Sequence, residues 1–289
     1  MIQTIDLELM GMTGVVAAYF IASEAGHIVV DCGPSSTLPK LKAGIEALGF
    51  AITDVKHLLL THIHLDHAGA AGTLARQYGV QVYVHRHGAV HLQNPERLLT
   101  SATRIYGAMM QTLWGEFEAV PEAQLTILEG GETLLVSNLE FRAVYTPGHA
   151  IHHLIYALGN SVFCGDVGGV RLQGSDIVVA PTPPPDIDFA AWRESLQKLH
   201  SLEPIRLYPT HFGMHENVAQ HLINLEQSLT TLEQLSKEIL EAGGGPSEIA
   251  AAIEQLARTI PEPMRQRYEL STPYLMAANG LVRYWKKRP

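Results

Sequence analysis

The sequence contains little cysteine, little charge and no long hydrophobic run. Two cysteines, Cys32 and Cys164, are too few for a disulfide framework or a cluster of thiolate ligands, so we expect a reducing, cytoplasmic location. Lysine and arginine number 20 against 29 acidic residues, and the net charge of −9 disfavours a nucleic-acid partner. The apolar run at residues 15–22 is much shorter than the ~18 residues that cross a bilayer. It also follows acidic residues, so we expect neither a membrane span nor an export signal.

The composition favours a folded domain that is rich in histidine. Hydrophobic residues make up 46% of the 289 positions, which provides enough apolar surface to offset the loss of chain entropy on folding. The length suits one large α/β domain, or such a domain with a small appendage. Fifteen histidines are present, and histidine is the commonest ligand for transition metals. The composition therefore favours a metal-binding protein.

Apolar and alternating segments predict two blocks of strands, each followed by helices. The predicted strands are 2–9, 15–22, 27–30, 55–61, 80–84, 134–136, 139–145, 152–158, 161–164 and 205–208. The predicted helices in this part are 36–48, 68–78, 95–110 and 188–202. Two mixed sheets packed face to face with helices outside form an αββα sandwich, and this is the fold that we expect for residues 1–215.

Residues 216–289 are predicted to form a helical extension packed on that domain. Between residues 217 and 242 the apolar positions recur on one stripe of a helix, and a Gly-Gly-Gly-Pro sequence then ends it. The stripe consists of Val218, Leu222, Leu225, Leu229, Leu232, Leu235 and Ile239. Such a stripe suits a surface that docks on the sandwich, and a homodimer contact through these C-terminal helices is the alternative.

Residues 61–67, with the sequence Thr-His-Ile-His-Leu-Asp-His, form the densest group of metal-ligand residue types. They follow an apolar strand and precede a helix, which is where α/β folds place functional sites. Side chains two positions apart on an extended segment point to the same side, so His62 and His64 can reach one point. Asp66 and His67 lie past the bend and can face a neighbouring point. One short loop can therefore serve two metal ions.

Three further candidates stand at the ends of predicted strands. They are His149 in Thr-Pro-Gly-His, Asp166 in Cys-Gly-Asp and His211 in Tyr-Pro-Thr-His, and each is beside a Pro or Gly turn. Taken singly, each residue suits a turn or a cap. Because strand ends that share one edge bring their side chains together, we expect these three to join the histidine-rich loop.

In order and approximate spacing, the pattern His-x-His-x-Asp-His, Thr-Pro-Gly-His, Gly-Asp and a final His resembles the metallo-β-lactamase-fold hydrolase superfamily across residues 1–215. The resemblance implies that His62, His64 and His149 bind one metal ion, that Asp66, His67 and His211 bind a second, and that Asp166 bridges both. These ligand types suit two Zn²⁺ ions, with Fe or Mn as alternatives. Asp66 and His67 are also expected to take part directly in catalysis.

The charge and chemistry of such a site indicate hydrolysis. Two Zn²⁺ ions with two carboxylates carry a formal charge of about +2, which attracts an anion or a developing oxyanion. We expect a metal-bridging hydroxide to attack the carbonyl of a small ester, thioester or lactone, as in the glyoxalase II and acyl-homoserine lactonase branches that the sequence resembles. The substrate is then a small molecule that is anionic or carries a carbonyl. An iron-dependent oxidoreductase of the persulfide dioxygenase or flavodiiron type, or a phosphodiesterase, is the alternative on the same fold.

Two residues outside the ligand set are predicted to orient ligands through hydrogen bonds. Asp31 ends a buried strand, and a role in stabilising the turn suits it equally. His153 lies on the strand after His149, next to His152, and alternation along that strand points one of the pair towards the site. A packing role suits either histidine as well.

The remaining histidines and tyrosines of interest are less specific. We expect His85, His87 and His91 to lie at the surface or at the rim of a cavity. A tyrosine hydroxyl could donate a hydrogen bond to an oxyanion. The candidates are Tyr19, Tyr106 and Tyr145, and nothing in the sequence selects among them.

Overall fold

The computed structural model describes residues 1–288, whose strands form two sheets. The first sheet has its strands in chain order: β1 (Ile2–Asp6), β2 (Ala17–Ile21), β3 (His27–Val30), β4 (Val55–Leu59), β5 (Gln81–His85) and β6 (Leu125–Leu128). The first two pairs are antiparallel, whereas β3 to β6 run parallel. The parallel strands therefore all end at the same edge of the sheet.

The second sheet contains the later strands in the order β11-β10-β9-β8-β7. These are β7 (Thr133–Val136), β8 (Leu139–Tyr145), β9 (Leu154–Leu158), β10 (Ser161–Phe163) and β11 (Arg206–Tyr208). Strands β10 and β11 are parallel, and the other pairs are antiparallel. Strands β8, β10 and β11 consequently all end at one edge of this sheet.

Alternation along the strands divides the apolar side chains between separate cores. In β2, Tyr19 and Ile21 belong to a core shared with the second sheet, whereas Ala18 and Phe20 face the helices outside the first sheet. In β9, Tyr156 joins the same central core and Ile155 packs against the helices outside the second sheet. This division follows from the period of two in a strand. The layer order confirms the predicted αββα sandwich.

Eleven α-helices accompany the sheets within residues 1–288. They are α1 (Leu38–Ala47), α2 (Leu65–Ala68), α3 (Ala71–Tyr78), α4 (Arg86–Gln93), α5 (Glu96–Tyr106), α6 (Met110–Trp114), α7 (Phe189–Ser201), α8 (Val218–Glu241), α9 (Pro246–Ala257), α10 (Met264–Ser271) and α11 (Tyr274–Lys286). No helix among them is both long enough and apolar enough to span a bilayer.

The C-terminal helices pack on the second sheet. Leu225, Leu229 and Leu232 of α8 are buried in one core with Trp192 of α7 and with side chains of β9 and β10. The apolar stripe of α8 is thus covered by other residues of the same chain, as a docking surface would be. Dimerisation through the C-terminal helices stays a prediction.

Helix α11 also approaches the proline-rich segment 181–185. A Cβ atom on Gly280 would lie 2.0 Å from the backbone oxygen of Thr182, so the two backbones meet where only glycine fits. The side chains of Arg283 and Lys287 donate to the backbone oxygen of Pro185 at 3.1 and 2.9 Å. These contacts fix the segment beside the edge where the strands end.

Some sequence-based boundaries were wrong. Strand β1 ends at Asp6 rather than at residue 9, because the chain turns there through backbone amides that donate to the Asp6 carboxylate. Helix α4 and strand β6 were not predicted as separate elements.

Candidate metal centre

The seven predicted ligands all lie at one edge of the sandwich. They are carried by segments 62–67 after β4, 146–149 after β8, 165–168 after β10 and 209–211 after β11. Backbone hydrogen bonds join the two sheets at this edge, from Leu154 N to Thr61 O at 2.7 Å and from Ala17 N to Thr210 O at 2.8 Å. Because Thr61 and Thr210 directly precede His62 and His211, these bonds also position two of the ligands.

Three imidazoles form the first group. The Nε2 atom of His62 lies 2.9 Å from Nδ1 of His64, and Nε2 of His149 lies 3.0 Å from the same atom. The three nitrogens are close enough to bind a single ion. The structure thus brings together the three residues that the resemblance assigns to one metal ion.

The second group contains Asp66, His67 and His211. The Nε2 atom of His211 is 3.2 Å from Oδ2 of Asp66, and Nε2 of His67 is 3.9 Å from the same oxygen. The ligand atoms of this group also fit around a single ion. The Asp66 carboxylate is the more exposed of the two in the cluster, with 18% of its side chain accessible against 6% for Asp166.

Asp166 lies between the two groups. Its Oδ2 atom is 3.4 Å from Nε2 of His149 in the first group. Its Oδ1 atom is 3.2 Å from Nε2 of His67 and 3.8 Å from Nε2 of His211 in the second. One carboxylate therefore faces both groups with different oxygens, which is the arrangement that a bridging ligand requires.

The protons of four imidazoles point away from the cluster, because the nitrogen on the far side of each ring has a hydrogen-bond acceptor. The contacts are His67 Nδ1 to the Asp31 carboxylate (2.8 Å), His149 Nδ1 to Pro181 O (2.9 Å), His211 Nδ1 to Val15 O (2.9 Å) and His62 Nδ1 to the Thr61 hydroxyl (3.2 Å). Thr61 gives its own proton to Asp31, so it accepts from His62. In the neutral rings, the inward nitrogens then present lone pairs.

Two buried atoms of the cluster lack hydrogen-bond partners among the described residues. They are Nε2 of His67 and Oδ1 of Asp166, which face each other at 3.2 Å without hydrogen-bond geometry. A buried polar atom without a partner is costly. Lone pairs of nitrogen and oxygen that converge in this way suit divalent transition-metal ions, Zn²⁺ above all. The donor set thus fits the metal ions that the superfamily resemblance implies.

Electrostatics divides the cluster into two unlike halves. Burial lowers the pKa of His149 to about 4 and that of His62 well below its usual value, so this half offers neutral nitrogens. In the other half, burial works against ionisation of Asp66, but His67 and His211 outweigh it and lower its pKa to about 2. Burial likewise opposes protonation of His67, yet nearby carboxylates, Asp166 first, raise the pKa of His67 well above its usual value. A metal ion bound at Nε2 would displace the second proton of this ring, because only a deprotonated nitrogen can be a ligand.

Asp31 accepts four hydrogen bonds and fixes the orientation of His67. Its Oδ1 accepts from Thr61 N at 2.8 Å, and its Oδ2 accepts from the hydroxyls of Thr61 and Thr210, both at 2.7 Å, and from His67. Its side chain is fully buried, and its backbone has a φ of 50°. The carboxylate thus joins the ends of three strands to one ligand, which is the contact predicted for an orienting residue.

His153 occupies a different position from the one expected of an orienting residue. Its ring bonds to the Thr146 hydroxyl at 2.9 Å and accepts from Val167 N at 3.3 Å, rather than bonding to a ligand side chain. The ring stacks on His62 with centroids 5.1 Å apart. His152 is also buried, and its ring stacks on His62 with centroids 6.0 Å apart. Both histidines therefore pack against a ligand, and His153 holds the turn that carries Asp166.

A cavity of about 680 Å³ opens above the cluster, and we call it the main cavity. Its floor contains His64, Asp66, Asp166 and His211. Its walls come from α4 to α6, from segment 181–186 and from α10 and α11. The apolar wall residues include Leu65, Leu98, Ala102, Ile105, Leu113, Trp114, Ile151, Leu270, Met276 and Ala277. Most of the lining is apolar, and the polar side chains outside the floor include Arg97, Asp186 and Glu269.

Some of the other histidines and tyrosines line the main cavity, and the others are buried or bonded elsewhere. His87 and His91 line the main cavity, whereas His85 is buried and stacks on Tyr145 at 4.4 Å. Tyr19 donates to Pro209 O and Gly213 O, and Tyr145 donates to Ile151 O at 2.9 Å, so both hydroxyls are occupied by the backbone. Tyr106 lines the main cavity.

Sequence reasoning missed Thr61 and Thr210, although a signal for them was present. Each threonine directly precedes a ligand histidine at the end of a strand, in Thr-His at 61–62 and at 210–211. The repetition indicates hydroxyls that serve the same partner, and that partner is Asp31.

Comparisons with known proteins agree with this geometry. A sequence model described as the Metallo-beta-lactamase superfamily matches residues 11–211. The chain therefore belongs to the metallo-β-lactamase superfamily, whose members are mostly hydrolytic enzymes.

Individual relatives are distant. A metallo-beta-lactamase fold-containing protein of Sulfurisphaera tokodaii is 28% identical over 204 residues, which are 69% of this chain and 74% of that protein. An atrochrysone carboxyl ACP thioesterase of Aspergillus fumigatus is 26% identical over 272 residues, which are 89% of this chain and 72% of that protein. The crystal structure of a metallo-beta-lactamase family protein from Thermus thermophilus superposes with a TM-score of 0.64 at 22% identity, covering 94% of this chain and 88% of that one. This last likeness shows the fold.

Proposed function

We propose that the protein is a metal-dependent hydrolase that cleaves a carboxylic ester, thioester or lactone with an apolar acyl group. The observation that carries the proposal is the pair of three-residue ligand groups that share Asp166 at the floor of an apolar cavity. The substrate is a small molecule rather than a nucleic acid or a membrane surface.

The chain's own residues define what each part of the site does. His62, His64 and His149 would hold one ion, Asp66, His67 and His211 the other, and Asp166 would contact both. Two Zn²⁺ ions there, or Fe or Mn in their place, would act as Lewis acids and lower the pKa of a bound water to ~7. Asp66 has the more exposed carboxylate of the cluster, so it meets both the substrate and the incoming water.

The main cavity supports an apolar acyl group. Its walls present leucine, isoleucine, methionine and tryptophan side chains beside the candidate ligands, and each methylene of a substrate that is buried against them contributes about 0.8 kcal/mol to binding. The thioesterase name of one relative agrees with a carbonyl substrate. An acyl chain in this cavity would place its carbonyl at the polar floor, against the ligand cluster.

Metal analysis combined with an acyl series tests the proposal. The substrates are 4-nitrophenyl esters and N-acetylcysteamine thioesters of acetate, butyrate, hexanoate and octanoate, together with lactones of matching chain length. We expect about two metal ions per chain, and kcat/KM rising about fourfold per added methylene until the cavity is filled. Metal-loaded protein that is inert on every member of the panel contradicts the proposal.

Two variants sharpen this experiment. His149→Ala should lose metal and activity together, whereas His200→Ala, at an exposed position of α7, should change neither. The two alternative functions, an oxidoreductase and a phosphodiesterase, are tested by separate measurements. Iron content with oxygen uptake would favour an oxidoreductase, and turnover of bis(4-nitrophenyl) phosphate without ester hydrolysis would favour a phosphodiesterase.

A further inference from the structure

Tyr106 lies in the wall of the main cavity and has an underused hydrogen-bond donor. Its hydroxyl contacts the Sδ atom of Met276 at 3.3 Å, and a thioether is a weak acceptor. In contrast, the hydroxyls of Tyr19 and Tyr145 are bound to backbone oxygens. Of these three tyrosines, Tyr106 therefore holds the hydroxyl that can turn to a ligand at the least energetic cost.

The ring of Tyr106 is held in place beside the ligand loop. It packs edge-on against Trp114 with centroids 5.0 Å apart. Trp114 and Ala102 form a small apolar cluster with Leu65, and Tyr106 packs against this cluster. Because Leu65 lies between His64 and Asp66 in the chain, the cluster connects α5 and α6 directly to the predicted ligands. The ring is thus preorganised, while the hydroxyl can rotate.

Tyr106 also stays protonated, and therefore a hydrogen-bond donor, at neutral pH. Burial raises the pKa of its hydroxyl well above the usual range, and the nearby negative charge of Asp66 adds to this. Tyr106 and Asp66 line the same cavity. A protonated phenol in an apolar wall is a hydrogen-bond donor of the kind that stabilises developing negative charge on oxygen.

We propose that Tyr106 donates a hydrogen bond from its hydroxyl to the carbonyl oxygen of the bound acyl group and stabilises the negative charge that develops there. The proton stays on Tyr106 throughout, so the step involves no transfer of a proton or an electron by this residue. In the free protein Met276 accepts this hydrogen bond, and the substrate carbonyl replaces it. The proposal rests on the proposed hydrolytic function.

The test compares Tyr106→Phe with the unchanged protein on the 4-nitrophenyl and thioester octanoates. We expect kcat to fall about 100-fold, as for removal of an oxyanion donor, with KM changed less than about threefold and with equal metal content. Tyr83→Phe is the matched control, because the hydroxyl of Tyr83 on β5 bonds to His57 Nδ1 at 3.2 Å and neither residue lines the main cavity, so its kcat should stay within about twofold. If Tyr106→Phe keeps its full kcat, or if Tyr83→Phe loses as much, the proposal is wrong.

Inhibitors separate a role in stabilising charge from a structural one. The hydrate of 1,1,1-trifluoro-2-decanone has a tetrahedral carbon with oxygen substituents, whereas 1-octanol fills the cavity without one. Tyr106→Phe should weaken inhibition by the ketone by about the same factor as kcat and leave inhibition by octanol unchanged. Equal weakening of both inhibitors would show a merely structural role and overturn the proposal. If the unchanged protein hydrolyses none of the substrates, the proposed function fails instead.

Discussion

Replacing Asp31 with asparagine tests how the second half of the metal centre is built. The carboxylate accepts four hydrogen bonds from three residues in a fully buried position. Asparagine has nearly the same shape and tolerates the positive φ of 50° at this position. The substitution therefore changes the hydrogen-bond chemistry without adding backbone strain or a cavity.

The structure allows two orientations of the new amide, and both are unfavourable. If the amide nitrogen takes the place of Oδ2, it faces the Nδ1–H of His67, which must then move its proton to Nε2 and lose the inward lone pair. If it takes the place of Oδ1, it faces the backbone N–H of Thr61 and leaves a buried donor unpaired. The substitution removes charge-assisted hydrogen bonds and leaves a buried donor unpaired, so the free energy of unfolding should fall by about 2 to 4 kcal/mol. Loss of an orienting partner weakens metal binding about 10- to 100-fold.

Two measurements check these values separately. Urea unfolding of the metal-depleted protein gives the change in stability, and competition with a chromophoric chelator gives the metal affinity of each site. We expect one of the two ions to bind more weakly in Asp31→Asn. Asp54→Asn is the matched control, because this exposed carboxylate accepts one hydrogen bond, from Ala51 N at 3.0 Å, which an asparagine oxygen can also accept. It should leave metal affinity unchanged and alter the unfolding free energy by less than about 1 kcal/mol. Metal affinities within twofold of the unchanged protein would refute the role assigned to Asp31.

Three further predictions concern the fold around the site. Burial lowers the pKa of His221 to about 4. Below pH 6.5 the unfolded chain therefore binds a proton at this residue while the folded chain does not, and the free energy of unfolding decreases as the pH decreases. The unfolding free energy should fall by about 2 kcal/mol between pH 7 and pH 5 because of this residue. In urea unfolding, His221→Gln should lose about 2 kcal/mol less than the unchanged protein over the same pH range. Gly280→Ala places a methyl group against Thr182 O and should lower the unfolding free energy by about 2 kcal/mol in the same assay. When the free metal concentration is 100 times the Kd, bound metal raises the unfolding free energy by about 2.7 kcal/mol per site. Adding a chelator should remove this contribution and lower the Tm.

The fold and the candidate ligands could be read from the sequence because their signals are local. His62, His64, Asp66 and His67 lie within one loop, and three consecutive leucines at 58–60 directly precede it. The remaining candidates stand beside Pro or Gly at strand ends, where a turn is expected. What brings them together is the convergence of strand ends at one edge, which follows from the parallel neighbours in each sheet.

The walls of the main cavity could not be read from the sequence. Helix α4 begins directly after β5 without a usual capping residue, since the ring of His85 accepts from His87 N instead, and it contains Gly88 and Val90, which weaken a helical pattern. The contact between Tyr106 and Met276 joins residues 170 positions apart. No periodicity or motif reports such a long-range contact, so the hydroxyl that the cavity singles out was indistinguishable from other tyrosines.

The two parts of the site face different physical demands. Ligands must be held to about 0.5 Å, and here they are fixed by backbone hydrogen bonds between the sheets and by the carboxylate of Asp31. An apolar wall needs only the right size and shape, and substitutions that conserve volume are tolerated there. Changes in α5 or α11, such as enlarging Ala102 or Ala277, should therefore alter acyl preference at constant metal content. Changes at Asp31 should alter metal content and leave the order of acyl preference intact, because the walls do not depend on that carboxylate.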